Sequence, residues 1–172
     1  LSDTDSEIVC VSRGSTAESL EAGLTLHTPE GTVEMIPGER YVVLDSESGP
    51  LPETLFGSCD AAIITGKADS TEALSSVAED LLSSEGVAMS IQNGLGHAEI
   101  LSRRIGAHRV VGGSTTHSAW RDGDGAVHWT GRGSIGLGRN DGSDPRQVTY
   151  DLIDTLGDAC LNPKWSSDIR SV

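Results

Sequence analysis

The sequence is poor in aromatic residues, which make up 3% of its 172 residues, whereas hydrophobic residues as a whole make up 36%. A chain of this length can bury one core of ordinary domain size, and that core is predicted to consist of Val, Leu, Ile and Ala side chains. No apolar run reaches the roughly 18 residues that a membrane-spanning helix needs, and no signal peptide is visible at the amino end. We therefore expect no membrane partner.

Basic residues are also scarce, since 12 Lys and Arg stand against 26 Asp and Glu and give a net charge of −14. Nucleic-acid binding is not expected, because a phosphate backbone requires clustered positive charge. Two interpretations of the acidity remain open. One is an ordinary solvated acidic surface, and the other is a salt-adapted host, which the presence of only two lysines among the basic residues favours.

Cysteine is limited to Cys10, Cys59 and Cys160, and no pair has the CxxC spacing or a nearby histidine that a zinc site requires. We expect no metal site, and we interpret the three residues as reduced, mostly buried thiols of a cytoplasmic protein. The serines do not lie in a GxSxG motif, so a hydrolase triad has no support.

The middle of the chain alternates between apolar strand-like segments and segments of helical periodicity. Strands are predicted at residues 61–65, 87–91 and 110–114, and helices at residues 69–83 and 97–105. This alternation predicts parallel βαβ units and an α/β fold with a doubly wound, mostly parallel sheet.

The flanking regions are less regular. Before residue 60 we predict a strand at 7–12, a short helix at 15–22, a hairpin of 24–28 with 32–36, and a strand at 41–44. After residue 115 we predict two strands at 127–131 and 134–138, a helix at 144–156 and a strand at 160–165. No helix fits between 131 and 134, so these two strands are predicted to pair with each other in antiparallel fashion.

Two basic residues follow predicted strands, where ligands bind in open α/β sheets. Arg13 has the planar fork that suits a 2′-phosphate, although an ordinary surface arginine is the alternative. Lys67 can contact a phosphate or carboxylate as a point charge, or it can be a solvated lysine at a helix start. The second alternative is slightly disfavoured, because a cation there opposes the helix dipole.

Two further polar residues follow the next strands. The Asn93 amide can donate and accept hydrogen bonds beside Gly94 and Gly96, but a turn or helix-capping asparagine is the more common interpretation. His117 could titrate near neutral pH, but a structural histidine is the more common interpretation here too.

Taken together, these segments resemble the ketopantoate reductase (2-dehydropantoate 2-reductase) family. The resemblance extends over nearly the whole chain, is loose over residues 14–60, and is carried by VSRG at 11–14, IITGKA at 63–68, SIQNGLGHAEIL at 90–101 and the stretch RVVGGSTTHSAWRDGDGAVHWTGRGSIGLG at 109–138. It implies that residues 1–172 form a Rossmann-like NADP-binding domain that lacks its first βα unit and is truncated at both ends, without the family's C-terminal helical catalytic domain.

The resemblance also implies an activity and site residues. Arg13 would contact the 2′-phosphate of NADPH, Lys67 would lie beside the cofactor, and Asn93 would touch both cofactor and substrate. Ala119 would place its backbone against the cofactor. The implied reaction is the NADPH-dependent reduction of ketopantoate, a small 2-oxo acid, to pantoate in pantothenate and coenzyme A biosynthesis.

The sequence departs from the family pattern at two places. No GxGxxG follows a strand near the amino end, although such a unit takes roughly 30 residues and would precede Arg13. The family's catalytic lysine is expected beyond residue 172, and Lys164 does not match it, so no catalytic residue is assigned within the chain. We expect residues 1–172 alone to be poorly stable and inactive, because a missing central strand leaves its neighbours unpaired.

Three alternative functions stay open. One is a paralogous NADP-dependent reductase of another 2-oxo acid, and a second is a non-catalytic NADP-sensing protein on the same scaffold, since a fold does not determine a function. A third is an acidic interaction domain, which would bind no NADPH. A downstream helix that carries lysine would favour the enzyme, whereas a stop codon there would favour the sensor.

Overall fold

The computed structural model describes residues 4–94, 96–139, 143–167 and 169. The helices and strands follow in chain order as β1 (Val9–Ser12), α1 (Ser15–Glu21), β2 (Leu24–His27), β3 (Val33–Ile36), β4 (Val42–Asp45), β5 (Cys59–Ile64), α2 (Thr71–Leu81), β6 (Leu82–Ser90), α3 (His97–Ile105), β7 (Val110–Thr115), β8 (Ser118–Arg121), β9 (Val127–Gly131), β10 (Ile135–Gly138), α4 (Gln147–Asp158) and β11 (Pro163–Ser166). They form two compact units, each of which draws on two separate stretches of the chain.

The larger unit comprises the described residues of 52–116 and 134–172 and is built on one five-stranded sheet. Its strand order is β11-β10-β7-β6-β5. The strands β5, β6 and β7 run parallel, joined by the helices α2 and α3, while β10 runs antiparallel to β7 and parallel to β11. The parallel βαβ units predicted from the alternating pattern are therefore confirmed.

Both faces of this sheet are covered, as β6 shows most clearly. Ala88 is fully buried in a cluster with residues of α2 and α3, including Ala78 and Leu101. Its neighbours Val87 and Met89 lie in a second cluster with residues of α4. Successive residues of a strand point to opposite faces, so helices lie on both sides and the sheet is doubly wound. The predicted fold class is confirmed.

The smaller unit comprises the described residues of 1–51 and 117–133 and contains two sheets. One is the parallel pair of β1 and β4, and the other is a four-stranded sheet with the order β3-β2-β9-β8. The hairpin of β2 and β3 forms as predicted, with His27 opposite Val33. The short helix α1 also forms, one residue shorter than predicted.

The predicted pairing of residues 127–131 with residues 134–138 is wrong. Strand β9 pairs antiparallel with β8 and parallel with β2, whereas β10 pairs with β7 and β11. The two strands therefore belong to different sheets. The short segment between them carries the chain from one unit to the other, and β8, which we did not predict from the sequence, is the antiparallel partner of β9.

Two predicted elements near the end of the chain begin later than expected, for backbone reasons. Helix α4 starts at Gln147 rather than at residue 144, because Pro145 disfavours helical geometry at the residue before it and Arg146 is extended. Strand β11 starts at Pro163 rather than at residue 160, because Cys160 (φ 57°) and Asn162 (φ 49°) adopt left-handed conformations that no strand accommodates.

The cysteines correct one further expectation. All three thiols are free, but Cys160 is exposed and Cys10 and Cys59 are only partly buried, so they are not mostly buried residues. Partial burial raises the pKa of the Cys10 thiol. Among the helices that the structure describes, none has the length and apolar character to cross a bilayer. The described residues also contain no group of three or more potential metal ligands.

Candidate functional site

The carboxyl ends of the parallel strands β5 and β6 bring two of the predicted site residues onto neighbouring turns. Ile64 at the end of β5 lies opposite Ser90 at the end of β6, so the turns that follow start side by side. Lys67 lies in the first, the lysine turn (residues 66–70), and Asn93 lies in the second, the asparagine turn (residues 92–94). Both side chains are exposed, as a ligand contact requires.

Gln92, the first residue of the asparagine turn, connects that turn to the lysine turn through its buried side chain. Its side chain is only 6% exposed, and its Nε2 group donates to the carbonyl oxygens of Gly66 at 2.7 Å and Lys67 at 3.2 Å. Nε2 also lies 3.0 Å from the hydroxyl of Thr71, the first residue of α2. The hydroxyl of Ser90 donates to Oε1 of Gln92 at 3.2 Å.

His97 completes this buried network on the side of the asparagine turn. Its Nε2 lies 3.2 Å from the carbonyl oxygen of Asn93, and its Nδ1 lies 3.1 Å from the hydroxyl of Thr71. Because a carbonyl can only accept, Nε2 carries a proton and donates it to Asn93. Thr71 (0% exposed) and His97 (8%) are buried, so the network is shielded from water on the side facing the helices.

The helix-capping interpretation of Asn93 does not hold in the structure. The residue at the N-cap of α3 is Gly96, and no side chain caps that helix. The asparagine turn instead depends on Gly94, whose φ of +112° is a backbone conformation that other residues rarely adopt. Asn93 is thus left exposed, on the turn next to the one that carries Lys67.

Arg13 lies in the smaller unit, on the turn between β1 and α1. The carboxylate of Asp45, opposite Ser12 in the parallel pair, accepts the backbone N–H of Gly14 at 3.2 Å. Asp45 also accepts hydrogen bonds from the hydroxyl of Ser48 and the N–H of Glu47, and these bonds, that of Ser48 first, hold its pKa below the ordinary value. The turn that carries Arg13 is thereby anchored to the end of β4.

Ala119 lies in the same unit, on the edge strand β8, and is exposed. Two residues further on, Arg121 donates from its guanidinium to the hydroxyl of Thr16 at 3.3 Å and to the carbonyl of Gly125 at 3.3 Å. Since Thr16 belongs to α1, the structure links the strand of Ala119 to the helix that follows Arg13. In the larger unit, Lys67 and Asn93 are linked in a similar way, through the hydrogen bonds of Gln92.

His117 has the structural role that the sequence favoured. Its Nδ1 accepts the backbone N–H of Gly133 at 3.1 Å, and its ring lies 5.4 Å from that of Trp129. Trp129 is covered on its ring face by the guanidinium of Arg132 at 4.2 Å. His117 therefore connects the residue before β8 to the segment after β9.

Five residues of these sites were not predicted from the sequence: Asp45, Thr71, Ser90, Gln92 and His97. A polar residue directly after a predicted strand is a weak signal, and Gln92 and Asp45 both occupy that place. Thr71 carried no signal, because its importance depends on the packing of α2 against the turn after β6.

The fold is Rossmann-like, as a comparison with two solved structures shows. The 2-dehydropantoate 2-reductase from Geobacter metallireducens GS-15 superimposes with a TM-score of 0.75 at 20% identity, over 96% of this chain and 60% of that chain. A D-mandelate dehydrogenase in complex with NADH and anilino(oxo)acetate superimposes with a TM-score of 0.78 at 19% identity, over 96% and 51%. At these identities the similarity establishes the fold alone.

Comparison with related sequences identifies the family. The sequence model of the family described as ketopantoate reductase PanE/ApbA matches residues 1–142. The 2-dehydropantoate 2-reductase of Archaeoglobus fulgidus is 29% identical over 165 residues, which are 95% of this chain and 49% of the relative, so the chain spans about half the length of that protein. That of Halobacterium salinarum is 38% identical over 60 residues, 35% of this chain and 20% of the relative. The chain belongs to the ketopantoate reductase PanE/ApbA family.

Proposed function

We propose that the protein containing this chain reduces 2-dehydropantoate (ketopantoate) to pantoate with NADPH, a step on the route to coenzyme A. The observation that carries the proposal is the placement of Lys67 and Asn93, exposed on adjacent turns at the carboxyl ends of β5 and β6, in a member of this family. This edge of an open parallel sheet is where α/β proteins bind ligands. The two side chains offer one cation and one amide to a dinucleotide and a 2-oxo acid.

The residues present fit a nicotinamide dinucleotide. The side chains of Arg13 and Lys67 are exposed, and neither side chain has a hydrogen-bond or ion-pair partner within the described part of the chain. Gly94 and Gly96 have positive φ and no side chain, so the backbone at these two positions is open to close approach by a ligand. Arg13 favours NADPH over NADH, because a guanidinium binds the oxygens of a 2′-phosphate in pairs.

Each of the proposed site residues has its own role in the reaction. When bound, the nicotinamide cofactor supplies the hydride for the reduction. Lys67 holds a negative group of the cofactor, and Asn93 orients the nicotinamide and the substrate through its amide. Ala119, which lies on an exposed strand edge and has a small side chain, leaves its backbone available to the cofactor.

A second candidate is an NADH-dependent reductase of another 2-oxo acid. The carboxylates of Asp45 and Glu47 lie beside Gly14. Asp45 accepts the backbone N–H of Gly14, and Oε2 of Glu47 lies 3.4 Å from the position that a Cβ on Gly14 would occupy. Negative charge next to Arg13 weakens the attraction for a 2′-phosphate. This observation favours NADH, whereas Arg13 itself favours NADPH.

The experiment that tests the proposal follows NADPH absorbance in protein produced from the complete open reading frame, with and without ketopantoate, at low and at molar salt. Oxidation that depends on ketopantoate supports the proposal. Tight NADPH binding without oxidation at either salt contradicts it and favours another 2-oxo acid or an NADP sensor. Absence of NADPH binding favours an interaction domain.

The cofactor assignment has its own test, the substitution Arg13→Ala. Loss of the guanidinium weakens NADPH binding by about tenfold or more while NADH binding changes little, since a charge-assisted hydrogen bond to a phosphate is at stake. Arg103→Ala is the matched control, because Arg103 is an exposed arginine at the end of α3, in the other unit. Equal losses for NADPH and NADH would remove the 2′-phosphate assignment.

A further inference from the structure

We infer that Gln92 is the positioning residue of the site: it fixes the lysine turn and the asparagine turn relative to each other so that Lys67 and Asn93 meet one ligand. The inference rests on the proposed function for the identity of that ligand. Its structural basis is independent, because the hydrogen bonds of Gln92 connect the two turns whatever the ligand is.

The orientation of the Gln92 amide is determined by its surroundings. Two carbonyl oxygens, those of Gly66 and Lys67, lie within 3.2 Å of one terminal atom. Carbonyls only accept, so that atom is the nitrogen and the oxygen faces the hydroxyl of Ser90. A glutamine amide matches this position, because it has two N–H donors on one side and an acceptor on the other, which neither a glutamate nor an apolar side chain offers.

The bonds act on the backbone of the lysine turn and not on the ammonium group. Gly66 and Lys67 lie in the segment between β5 and α2, and their carbonyl oxygens lie 2.7 and 3.2 Å from Nε2 of Gln92. Gln92 belongs to the backbone that leads directly to Asn93. A single side chain thus links the backbone before one proposed ligand contact to the backbone of the other.

Thr71 and His97 extend the same connection to the two helices. The hydroxyl of Thr71 lies 2.9 Å from the carbonyl of Ala68 in the lysine turn and 3.1 Å from Nδ1 of His97. His97 in turn donates to the carbonyl of Asn93. The single hydroxyl proton of Thr71 bonds one of these acceptors at a time, so Thr71 supports the connection between the two turns while the amide of Gln92 makes it.

The test replaces the amide and leaves both ligand contacts in place. Gln92→Met keeps the length of the side chain and removes its donors, and Gln92→Glu is a second variant that places a carboxylate against two carbonyls. Ser90→Ala is the matched control, because Ser90 is 2% exposed and is hydrogen-bonded to Gln92, whereas its hydroxyl has no hydrogen bond to the lysine turn in the described structure. All variants are made in the protein from the complete open reading frame, with thermal unfolding recorded for each.

The first readout is the dissociation constant for NADPH. We expect Gln92→Met to weaken binding about tenfold, as loss of the turn-to-turn bonds is worth roughly one to two hydrogen bonds, while Ser90→Ala stays within about twofold. A wild-type dissociation constant in both folded Gln92 variants would overturn the inference. So would losses of affinity that follow the losses of thermal stability in the same proportion for Gln92→Met and Ser90→Ala, since that pattern marks a merely structural residue.

The second readout is amide hydrogen exchange of the protein without ligand, which separates failure of the inference from failure of the proposed function. The N–H of Ser70 donates to the carbonyl of Lys67, and the N–H of Ile91 donates to the carbonyl of Ile64. Faster exchange at both amides in Gln92→Met, but not in Ser90→Ala, supports the positioning role even if the wild type binds no NADPH. Unchanged exchange at both amides overturns it. Absence of NADPH binding by the wild type counts against the proposed function alone.

Discussion

The carboxylate of Asp45 lies 3.2 Å from the backbone nitrogen of Gly14 and holds the turn on which Arg13 is exposed. This bond reaches from the end of β4 to the end of the neighbouring parallel strand β1. An acidic residue thus orders the turn that carries the proposed phosphate-binding arginine. Under the proposed function, the opposite charges of Asp45 and Arg13 are expected to set the preference between NADPH and NADH.

Asp45→Asn and Asp45→Ala separate these two effects. Asparagine keeps an oxygen for the Gly14 amide and removes the negative charge, so we expect it to bind NADPH as tightly as the wild type or about twofold to fivefold more tightly. Alanine removes the anchor as well, and we expect NADPH binding to weaken by about threefold to tenfold. Isothermal titration with NADPH and NADH checks both values. If alanine and asparagine behaved alike, the Gly14 bond would have no part in cofactor binding.

Lys67→Ala and Asn93→Ala test the proposed ligand contacts of the larger unit. Both side chains are exposed, so we expect the unfolding temperature to stay nearly unchanged. Loss of the cation is expected to raise the KM for NADPH by about tenfold, because one charge-assisted contact is removed. Loss of the amide is expected to lower kcat more than it raises KM, since Asn93 is proposed to orient both reactants. Steady-state kinetics with ketopantoate distinguishes the two patterns.

Gly94→Ala tests the backbone of the asparagine turn. The φ of Gly94 is +112°, and an added Cβ would lie 3.3 Å from Nε2 of His97. We expect backbone strain of about 1–3 kcal/mol and weaker NADPH binding as the turn shifts. Gly123→Ala is the control, because Gly123 has open space around its Cβ position. Equal stability of the two variants in urea denaturation would show that the turn tolerates a side chain.

Leu101→Ala tests the helix-facing core of the doubly wound sheet. Leu101 is 0% exposed in the cluster formed by α2, α3 and the sheet. Truncation is expected to cost about 2–5 kcal/mol of unfolding free energy, from lost burial and the cavity left behind. Met35→Ala, at an 82% exposed site on β3, is expected to change that free energy by less than about 0.5 kcal/mol. A small effect of Leu101→Ala would mean that this core is loosely packed.

The ion pair of Glu30 and Arg132 gives the smaller unit a pH-dependent contribution. Arg132 donates from two nitrogens to the carboxylate at 2.5 and 2.9 Å and lowers the pKa of Glu30 from 4.5 to about 2. Because the folded pKa is depressed, the stabilisation is complete above the unfolded value and is lost as the pH falls towards 2. Glu30→Gln is therefore expected to destabilise the protein at neutral pH and to match the wild type near pH 2.

Denaturation curves at several pH values check this expectation. Glu34→Gln, which removes an exposed carboxylate of the neighbouring strand β3, is the control for a change in net charge alone. A constant difference between wild type and Glu30→Gln across the acidic range would contradict the assignment, since the stabilisation must disappear when Glu30 is protonated in both states.

Local patterns were sufficient for the elements of the larger unit. Apolar runs such as 87–91 and the helical spacing of 69–83 predicted the parallel units, because strands buried on both faces and amphipathic helices have distinct periodicities. The same reasoning placed Lys67 and Asn93 after strands, and the pairing of β5 with β6 then put them on neighbouring turns. The boundaries were less accurate where single residues decide them, as Pro145 and Cys160 do.

The sequence by itself determined the fold class, the family and the exposed polar residues at the strand ends, because these depend on composition, periodicity and short motifs. Only the tertiary structure decided which strands pair, so that β9 joins β8 and β2 and not β10. It alone revealed the links from Gln92 to Lys67 and from Asp45 to Gly14. Such contacts join residues 25 and 31 positions apart, and a hydrogen bond over that separation depends on how the sheet is assembled, which no local pattern records.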